Sequence, residues 1–392
     1  MLLMKFDVVI IGGGLVGAGL ALALRNGGLG VALVEARTPA PLPPDDAWDS
    51  RIYAVSPGSA AFLQDVGIWP ALAANRLTPV HEMAIFGDDD AACLDFSAYD
   101  AGLPELAWIV ENGRLQAAAW RMLKRRTRPV RTFCPAECAS IAWDESRAEL
   151  RLADGSVLQA ALIVGADGIH SWVREQAGID TEQRAYGQMG VVANFSAQNS
   201  HRHVARQWFR RDGVLALLPL PESRVSMVWS TDEAHARTLL AVPGAELCDR
   251  VMQASGHALG ALQLVTQPAA FPLRFVHAKK LVQSRIALVG DAAHGIHPLA
   301  GQGVNLGLRD ARELAVTLLG RGPELDCGDP LLLGRYERAR KEDILATELA
   351  TDGLHRLFGS PHPTLMRWRN LGLEITNRLP LLKNQLMRHA LN

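Results

Sequence analysis

The sequence contains little cysteine and almost no net charge, and each shortage excludes a class of protein. The formal net charge is −1, with 40 basic and 41 acidic residues, so no nucleic-acid partner is expected. An odd number of cysteines without a C-x-x-C pair argues against a disulfide framework and a zinc site, and favours a reducing cytoplasm. The five cysteines are Cys93, Cys134, Cys138, Cys248 and Cys327.

The sequence also lacks an apolar run that is typical of a membrane span. Residues 8–24 carry no charge, but their glycines indicate a strand, a turn and a buried helix rather than a signal peptide. Residues 251–273 are uncharged as well, yet they contain several polar side chains and Pro268. The prediction is therefore a protein that is soluble or at most peripheral to a membrane.

Alternating strands and helices are predicted at both ends of the 392-residue chain, which is long enough for two domains. A strand over 7–11, a helix to about Arg25 and a strand over 31–34 form a βαβ unit. Between about 185 and 275 the pattern favours an antiparallel sheet, with strands at 191–195, 205–209, 214–220 and 225–230. The α/β pattern returns at 286–291, and helices follow after about 330.

A glycine-rich turn follows the first predicted strand and carries the pattern G-x-G-x-x-G at Gly12, Gly14 and Gly17. Glu35 ends the next strand, where a carboxylate can accept hydrogen bonds from ribose hydroxyls. An acid at this position favours FAD or NAD over NADP. The turn thus predicts a dinucleotide site, and the alternative is a tight strand–helix turn beside an ordinary surface glutamate.

A second glycine-rich segment lies about 280 residues later, at 297–310, with the sequence HPLAGQGVNLGLRD. A glycine turn that opens an apolar helix aims backbone N–H groups and the positive end of the helix dipole at an anionic group. Two such turns so far apart suggest one long cofactor that is held at both ends. The alternative, a tight helical turn, leaves the three glycines around Asn305 unexplained.

Four other segments complete a family pattern. They are an arginine segment at 49–56, residues 110–116, the sequence GADG at 165–168 and the sequence GDAAH at 290–294. With the segment 297–310, they make the chain resemble the single-component FAD-dependent aromatic hydroxylases, and among them the ubiquinone-biosynthesis branch. The resemblance runs from about residue 5 to the C-terminus, and only two positions of the arginine segment depart from the common pattern.

The resemblance implies both a fold and an activity. The fold is α/β, with a Rossmann-like FAD-binding domain of the p-hydroxybenzoate-hydroxylase type, an inserted antiparallel-sheet substrate domain and a helical C-terminus. The activity is that of a monooxygenase, in which NAD(P)H reduces FAD, the reduced flavin binds O2 as a C4a-hydroperoxide, and one oxygen atom passes to an aromatic ring. Because the flavin performs this chemistry, no catalytic triad or metal is expected. The lack of a second nucleotide-binding unit indicates transient binding of NAD(P)H.

The predicted domains are discontinuous. Residues 1–75, 100–184 and 275–350 are assigned to the FAD-binding domain, residues 76–99 and 185–274 to the substrate domain, and residues 351–392 to a C-terminal helical segment.

The residues expected to bind FAD lie at the two glycine turns and in the matching segments. Arg51 is assigned to the pyrophosphate or the nicotinamide donor, Asp291 to the ribityl chain, and the N–H groups at 303–305 to the flavin N1/O2 edge. The full set is Gly12, Gly14, Gly17, Glu35, Arg51, Gln116, Asp167, Asp291, Gly301, Gly303, Val304 and Asn305.

Ordinary structural roles remain as alternatives for some of these side chains. Asp291 could cap the turn that follows it, and Asp167 could belong to a simple Asp-Gly turn. Arg51 could form a surface ion pair with Asp49.

The residues expected by similarity to line the aromatic pocket are apolar or lie beside the second glycine turn. Core packing is the alternative for each apolar member. His294 and His297 have a spacing that could suit a metal, but no third ligand lies nearby, so a structural or cavity-lining role is favoured. The pocket candidates are Leu217, Pro219, Trp229, Phe271, Pro272, His297 and Pro298.

The resemblance implies a polyprenylated phenol of ubiquinone biosynthesis as the substrate, and such a molecule resides in the membrane. Residues 354–392 contain six Arg or Lys and one acid, with apolar residues between them. This segment is a candidate for contact with a membrane surface or with other proteins of ubiquinone biosynthesis, and the alternative is a basic helix packed on the FAD domain. The expected location is the cytoplasm, peripheral to the inner membrane.

Two other functions compete with this one. The same chemistry could act on a small soluble phenol. A non-hydroxylating flavoprotein could instead serve as a subunit of a biosynthetic complex.

Overall fold

The structure is a computed structural model that describes residues 3–87, 93–125, 130–297 and 301–359. The strands are β1 (Leu3–Ile11), β2 (Val31–Val34), β3 (Ile52–Val55), β4 (Thr78–Val80), β5 (Glu82–Phe86), β6 (Cys93–Ser97), β7 (Ala107–Glu111), β8 (Arg131–Phe133), β9 (Cys138–Trp143), β10 (Ala148–Leu152), β11 (Val157–Gly165), β12 (Thr181–Ala197), β13 (Val204–Arg210), β14 (Gly213–Leu220), β15 (Arg224–Asp232), β16 (Leu262–Leu264), β17 (Ala269–Ala278), β18 (Val282–Gln283), β19 (Ile286–Leu288) and β20 (His294–Gly295). The helices are α1 (Leu15–Asn26), α2 (Pro57–Asp65), α3 (Asn112–Leu123), α4 (Trp172–Gln176), α5 (Glu233–Ala241), α6 (Gly244–Ala254), α7 (Gly303–Leu319) and α8 (Pro330–Gly359).

A mostly parallel sheet forms the first layer, with the strand order β18-β19-β11-β1-β2-β8 and with β9 and β10 beside β11. The strands from β19 to β8 are parallel to their neighbours in this order. Val8, Val9 and Ile10 of β1 are fully buried, as expected for a strand that is covered on both faces. The predicted βαβ unit is confirmed by β1, α1 and β2.

Helices α1 and α7, which begin at the two glycine turns, pack against each other. Gly307 permits their close approach, because an added Cβ there would lie 2.8 Å from Val16 Cγ2 and 3.1 Å from Gly290 Cα. Val16 belongs to the first turn of α1, and Gly307 lies one turn into α7. The beginnings of the two helices are therefore adjacent, although about 280 residues separate them in the sequence.

The second layer is a nine-stranded sheet with the order β20-β17-β12-β15-β14-β13-β5-β6, in which β16 also pairs with β12. The four predicted antiparallel strands are confirmed as β12 to β15. Strand β5 is the exception to the antiparallel pattern, since it runs parallel to β13. Because β5 and β6 come from an earlier part of the chain, the second sheet is built from two separate segments of the sequence.

Two helices, α5 and α6, pack on one face of this sheet, although only strands were predicted there. Asp232 caps α5, since its carboxylate accepts hydrogen bonds at 2.9 Å from the N–H groups of Ala234 and His235. Leu239 of α5 and Val251 of α6 are fully buried against the sheet. Asp232 and Pro243, which precede the two helices, are the sequence signals that would have indicated them.

The alternation of side chains along β14 decides which residues face the first layer. Leu217 packs with Trp229 in the core beneath α5 and α6. Leu218 and Leu220 belong to a different cluster, which includes Ala54 of β3. The prediction that Leu217 and Trp229 line a pocket beside the first layer is therefore corrected to its alternative, core packing.

Helix α8 contacts both sheets. The hydroxyl of Tyr336 donates to the carbonyl oxygen of Leu288 at 2.9 Å, and further along the helix Asp352 forms an ion pair with Arg184 of β12 at 2.6 Å. The predicted C-terminal helical segment lies outside the described residues from residue 360 onward. None of the helices within the described ranges is both long enough and apolar enough to cross a bilayer.

We expect Leu217→Ala to lower the free energy of unfolding by about 2–5 kcal/mol, because it removes a buried side chain from a packed core. Chemical denaturation followed by circular dichroism measures this change. Val316→Ala is the matched control, since Val316 is 59% exposed and its truncation should change stability by less than about 0.5 kcal/mol. A loss for Leu217→Ala as small as that of the control would contradict the placement of Leu217 in the core.

Candidate functional site

Two glycines of the first turn are required by the packing of the chain itself. Gly12 has a φ of +109°, and a Cβ there would lie 2.2 Å from the carbonyl oxygen of Ala166. A Cβ at Gly17 would lie 2.1 Å from the carbonyl oxygen of Gly12. These contacts allow β1, α1 and the end of β11 to approach closely, so they explain Gly12 and Gly17 without any ligand.

Gly14 has no such explanation within the protein. Apart from its chain neighbours and the backbone of its own helix, no atom of the described residues lies within 4 Å of a Cβ at Gly14, and the same holds for Gly303 at the start of α7. Each glycine therefore borders open space at the beginning of a helix, where free N–H groups and the helix dipole favour a negative charge. The arrangement fits a dinucleotide whose pyrophosphate lies against the backbone of the first turn.

Three side chains hold the peptide unit of Gly13 in this turn. Oε2 of Glu35 accepts a hydrogen bond from the Gly13 N–H group at 2.7 Å. The carbonyl oxygen of Gly13 accepts from Gln116 Nε2 at 2.7 Å and from Trp120 Nε1 at 2.9 Å. Gln116 was among the predicted site residues, whereas Trp120 was missed. The spacing of four residues on one helix is the signal that would have found Trp120.

The GADG segment is joined to the GDAAH segment by one buried guanidinium. Arg174 donates hydrogen bonds to the carbonyl oxygens of Ile169 at 2.9 Å and Ala292 at 2.8 Å. Asp167 Oδ2 accepts from the N–H group of Val173 at 3.1 Å, whereas its buried Oδ1 has no partner among the described residues. Burial raises the pKa of Asp167. An unpaired buried carboxylate oxygen is what a hydroxyl group of a ligand would satisfy.

Asp291 is accessible at the surface although protein groups surround its carboxylate closely. It is exposed to solvent, and yet desolvation by the surrounding protein raises the pKa of its carboxyl group, partly offset by His294 and Arg51. Its position directly after Gly290 places it close to the first turns of α1 and α7. The carboxylate is therefore accessible to a cofactor that spans both helix beginnings.

Asn305 fixes the beginning of α7 to the arginine segment. Its Oδ1 accepts from the N–H group of Ser56 at 3.0 Å, and its Nδ2 donates to the carbonyl oxygen of Ala54 at 2.9 Å. Gly301, before the helix, has a φ of +61°, and Val304 is half-buried. The buried amide of Asn305 thus satisfies one backbone group of β3 and one directly after it, while the first N–H groups of a helix have no partner within the helix.

Arg51 is exposed and lies at the other end of β3 from Ser56. Its backbone N–H group donates to Asp49 Oδ1 at 2.8 Å, and its guanidinium lies 5.6 Å from the ring centre of Tyr53. Asp49 Oδ2 accepts from the Gly113 N–H group at 2.9 Å. In the described ranges no ion pair joins the side chains of Arg51 and Asp49, and the guanidinium interacts instead with the side chain of Tyr53.

The remaining pocket candidates lie in different surroundings. Phe271 is 40% exposed, and Pro272 is also exposed. Pro219 is buried on the same side of β14 as Leu217. His297 is buried, with its Nε2 at 3.0 Å from Gln188 Oε1 and its ring 4.8 Å from that of Tyr186. Pro298 lies outside the described residues.

His294 and His297 point to different partners rather than to one shared ion. His294 Nε2 lies 2.5 Å from Asp310 Oδ2 in the interior. Within the described ranges, no three His, Cys, Asp or Glu side chains form a group that could hold a metal ion. A structural role for His294, which the sequence favoured, agrees with this contact.

Comparison with known proteins shows the family to which the chain belongs. The family described as "FAD binding domain" matches residues 5–347. The chain is 36% identical over 389 residues to the 3-demethoxyubiquinol 3-hydroxylase of Escherichia coli, which covers 98% of each chain. It is 35% identical to the ubiquinone hydroxylase UbiL of Rhodospirillum rubrum, over 98% of this chain and 89% of the relative.

A solved structure with a similar fold is that of PqsL, a probable FAD-dependent monooxygenase from Pseudomonas aeruginosa. The TM-score is 0.79 at 24% identity, over 95% of this chain and all of the PqsL chain. This likeness shows that the two proteins share the arrangement of a nucleotide-binding layer and a second sheet.

The two kinds of glycine in the first turn should respond differently to substitution. Gly14→Ala should leave the melting temperature of the flavin-free protein unchanged and weaken FAD binding at least about tenfold, because its Cβ enters only the open space. Gly17→Ala should lower the melting temperature, since its Cβ would overlap the Gly12 carbonyl oxygen. Flavin fluorescence titration and thermal unfolding measure the two effects. Normal FAD affinity in Gly14→Ala would contradict the placement of the cofactor against this turn.

Proposed function

The chain belongs to the FAD-dependent aromatic hydroxylases of ubiquinone biosynthesis, and on this basis we propose that it hydroxylates the ring of a polyprenylated phenol in that pathway. The overall reaction consumes NAD(P)H, a proton, O2 and the phenol. It yields NAD(P)+, water and the phenol with one additional ring hydroxyl. When bound, FAD supplies the redox chemistry, since it takes up electrons from NAD(P)H and activates O2. The protein contributes binding, orientation and the exclusion of water.

The observation that carries the proposal is the open space at Gly14 and Gly303, at the beginnings of two adjacent helices. In one long cofactor, we assign the pyrophosphate to the turn with Gly12, Gly14 and Gly17, and the adenosine ribose to Glu35. The same orientation assigns the flavin ring to the start of α7. The N–H groups there would stabilise the negative charge that develops at the flavin N1/O2 edge on reduction.

Asp167 and Asp291 lie between these two ends in the proposed orientation. Both carboxyl groups have raised pKa values, chiefly through desolvation. A hydroxyl group of the ribityl chain would provide a hydrogen bond to Asp291, and a group near the phosphates would do so for Asp167. Arg51, with its exposed guanidinium, would balance the charge of the pyrophosphate or of the nicotinamide donor.

The substrate pocket is proposed on the face of the second sheet that is turned away from α5 and α6. Ala216 and Val192 face this side, because they alternate with Leu217 and Val191 of the helix-covered core. Phe271 is paired with Gly190 on the same side, and an added Cβ at Gly190 would lie 2.9 Å from its ring. Small and apolar side chains on this face would suit an aromatic ring with a prenyl chain.

We expect purified protein with FAD to convert short-chain prenylated phenols, with NAD(P)H oxidation and product formed in a ratio near one. Liquid chromatography with mass spectrometry identifies the hydroxylated product, and benzoates serve as the matched soluble substrates. Conversion of benzoates alone would instead favour the small-phenol function. A yellow protein that oxidises NAD(P)H without forming any hydroxylated product would favour the non-hydroxylating subunit.

Contact with the inner membrane and with other proteins of ubiquinone biosynthesis is part of the proposal. Each five-carbon prenyl unit adds roughly 3–4 kcal/mol of partitioning into the bilayer, at ~0.8 kcal/mol per CH₂, so the substrate must be taken from the membrane or from a partner. The basic and apolar composition of residues 354–392 supports a surface contact through this segment.

We expect the full chain to sediment with vesicles that contain anionic lipids, and a chain that ends at residue 359 to lose this binding. Five of the six basic residues lie beyond residue 359, and they are expected to interact with the anionic headgroups, so salt should weaken the association. Neutral vesicles are the control for charge, and FAD content is the control for folding of the shortened chain. Equal sedimentation of the two proteins would exclude this segment as the membrane contact.

A further inference from the structure

We propose that Asp310 is a positioning residue that holds Asp291 at a fixed distance from the start of helix α7. It thereby sets the spacing of two proposed cofactor contacts, Asp291 and the start of α7. The inference rests on the FAD binding proposed above and concerns how the chain prepares that site. Asp310 itself is fully buried and does not reach the cleft.

Two donors from one short segment meet at a single oxygen of this carboxylate. The N–H group of Gly290 donates to Asp310 Oδ2 at 2.8 Å, and Nε2 of His294 lies 2.5 Å from the same oxygen. Gly290 directly precedes Asp291, and His294 follows it by three residues. The backbone is therefore held on both sides of Asp291 by one atom.

The two contacts of Asp310 Oδ2, with Gly290 and with His294, are called the bracket around Asp291. Asp310 belongs to helix α7, and the start of α7 is the other proposed cofactor contact. Asp310 lies five residues after Asn305, which corresponds to about 7–8 Å along the helix axis at ~1.5 Å per residue. Helix α7 is a rigid element between the two points, and Gly307 keeps it in direct contact with Gly290. A shift of α7 would consequently move Asp291 with it, and the spacing of the two contacts would be kept.

The second carboxylate oxygen is held by helix α8. Arg340 Nε donates to Asp310 Oδ1 at 2.7 Å, and the same guanidinium reaches Asp343 Oδ2 at 2.7 Å. Although burial alone would raise it, the pKa of Asp310 is lowered, because His294 and Arg340 both favour the ionised carboxylate. The ionised form can accept from all three donors at once, which a neutral carboxyl group or an amide cannot do.

A carboxylate that served only to join two helices would need the contact with Arg340 and no more. The bracket around Asp291 adds an interaction with the loop, and that interaction distinguishes Asp310 from Asp343. Asp343 pairs with Arg340 and with Arg309 at 3.3 Å, whereas among the described residues its side chain forms no hydrogen bond or ion pair with the segment 290–295. The two acids therefore form a matched pair within one buried network.

The test compares Asp310→Ala with Asp343→Ala in the full chain, by fluorescence titration with FAD and by the visible absorbance spectrum of the bound flavin. Alanine is used because the amide oxygen of an asparagine at 310 could still accept from both Gly290 and His294. Asp310→Ala should raise the FAD dissociation constant at least about tenfold and alter the flavin spectrum, because Asp291 is no longer fixed. Asp343→Ala should lower the melting temperature with less than about a threefold change in affinity. Equal losses of FAD affinity in the two variants would overturn the inference.

A second pair of variants decides the matter if Asp310→Ala fails to fold. His294→Gln retains an N–H donor that can reach Asp310, whereas His294→Leu does not. Nearly normal FAD affinity in His294→Gln and a loss of about tenfold in His294→Leu would support the bracket, and equal affinities would contradict it. Failure of the unmodified protein to bind FAD would contradict the proposed function, whereas the comparison of variants tests the role of Asp310 alone.

Discussion

The close contact of three backbone segments at Val16, Gly290 and Gly307 is the constraint on which the rest of the site depends. It brings the starts of α1 and α7 and the loop before Asp291 to one edge of the parallel sheet. Glycine is needed at 307 because any side chain there would push α7 away from both neighbours. Without this approach, two helix dipoles that are far apart in the sequence could not act on one ligand.

Buried charge is the second feature that shapes the site. Asp310 and Arg340 are buried, and the carboxylate and guanidinium are paired in a network that includes His294 and Asp343. Breaking such a network is costly, because it leaves an unpaired ion in the interior. By contrast, Asp291 is exposed, so the buried charges hold the loop in place and the Asp291 carboxylate stays accessible to a ligand.

The two faces of the second sheet differ: one packs against helices, and the other is the proposed substrate face. One face is covered by α5 and α6 and contains the large side chains Trp229 and Phe195. The other face is turned toward the arginine segment and the first layer, where Asn194 Nδ2 donates to the Asp49 carbonyl oxygen at 2.8 Å. Asp49 also accepts from the N–H group of Gly113 in α3, so the segment before Arg51 joins this face of the second sheet to α3, which carries Gln116 of the proposed cofactor site.

The sequence by itself determined the elements whose signal is local. The βαβ unit, the glycine turn with Glu35, the antiparallel strands and the family all follow from residues that are close together along the chain. The sequence was wrong about Leu217 and Trp229, because hydrophobicity alone does not say which face of a strand is covered by a helix. It also missed Trp120 and the bracket formed by Asp310, since their partners lie 107 and between 16 and 30 residues away. Those contacts exist only when the layers pack, and tertiary structure therefore decided them.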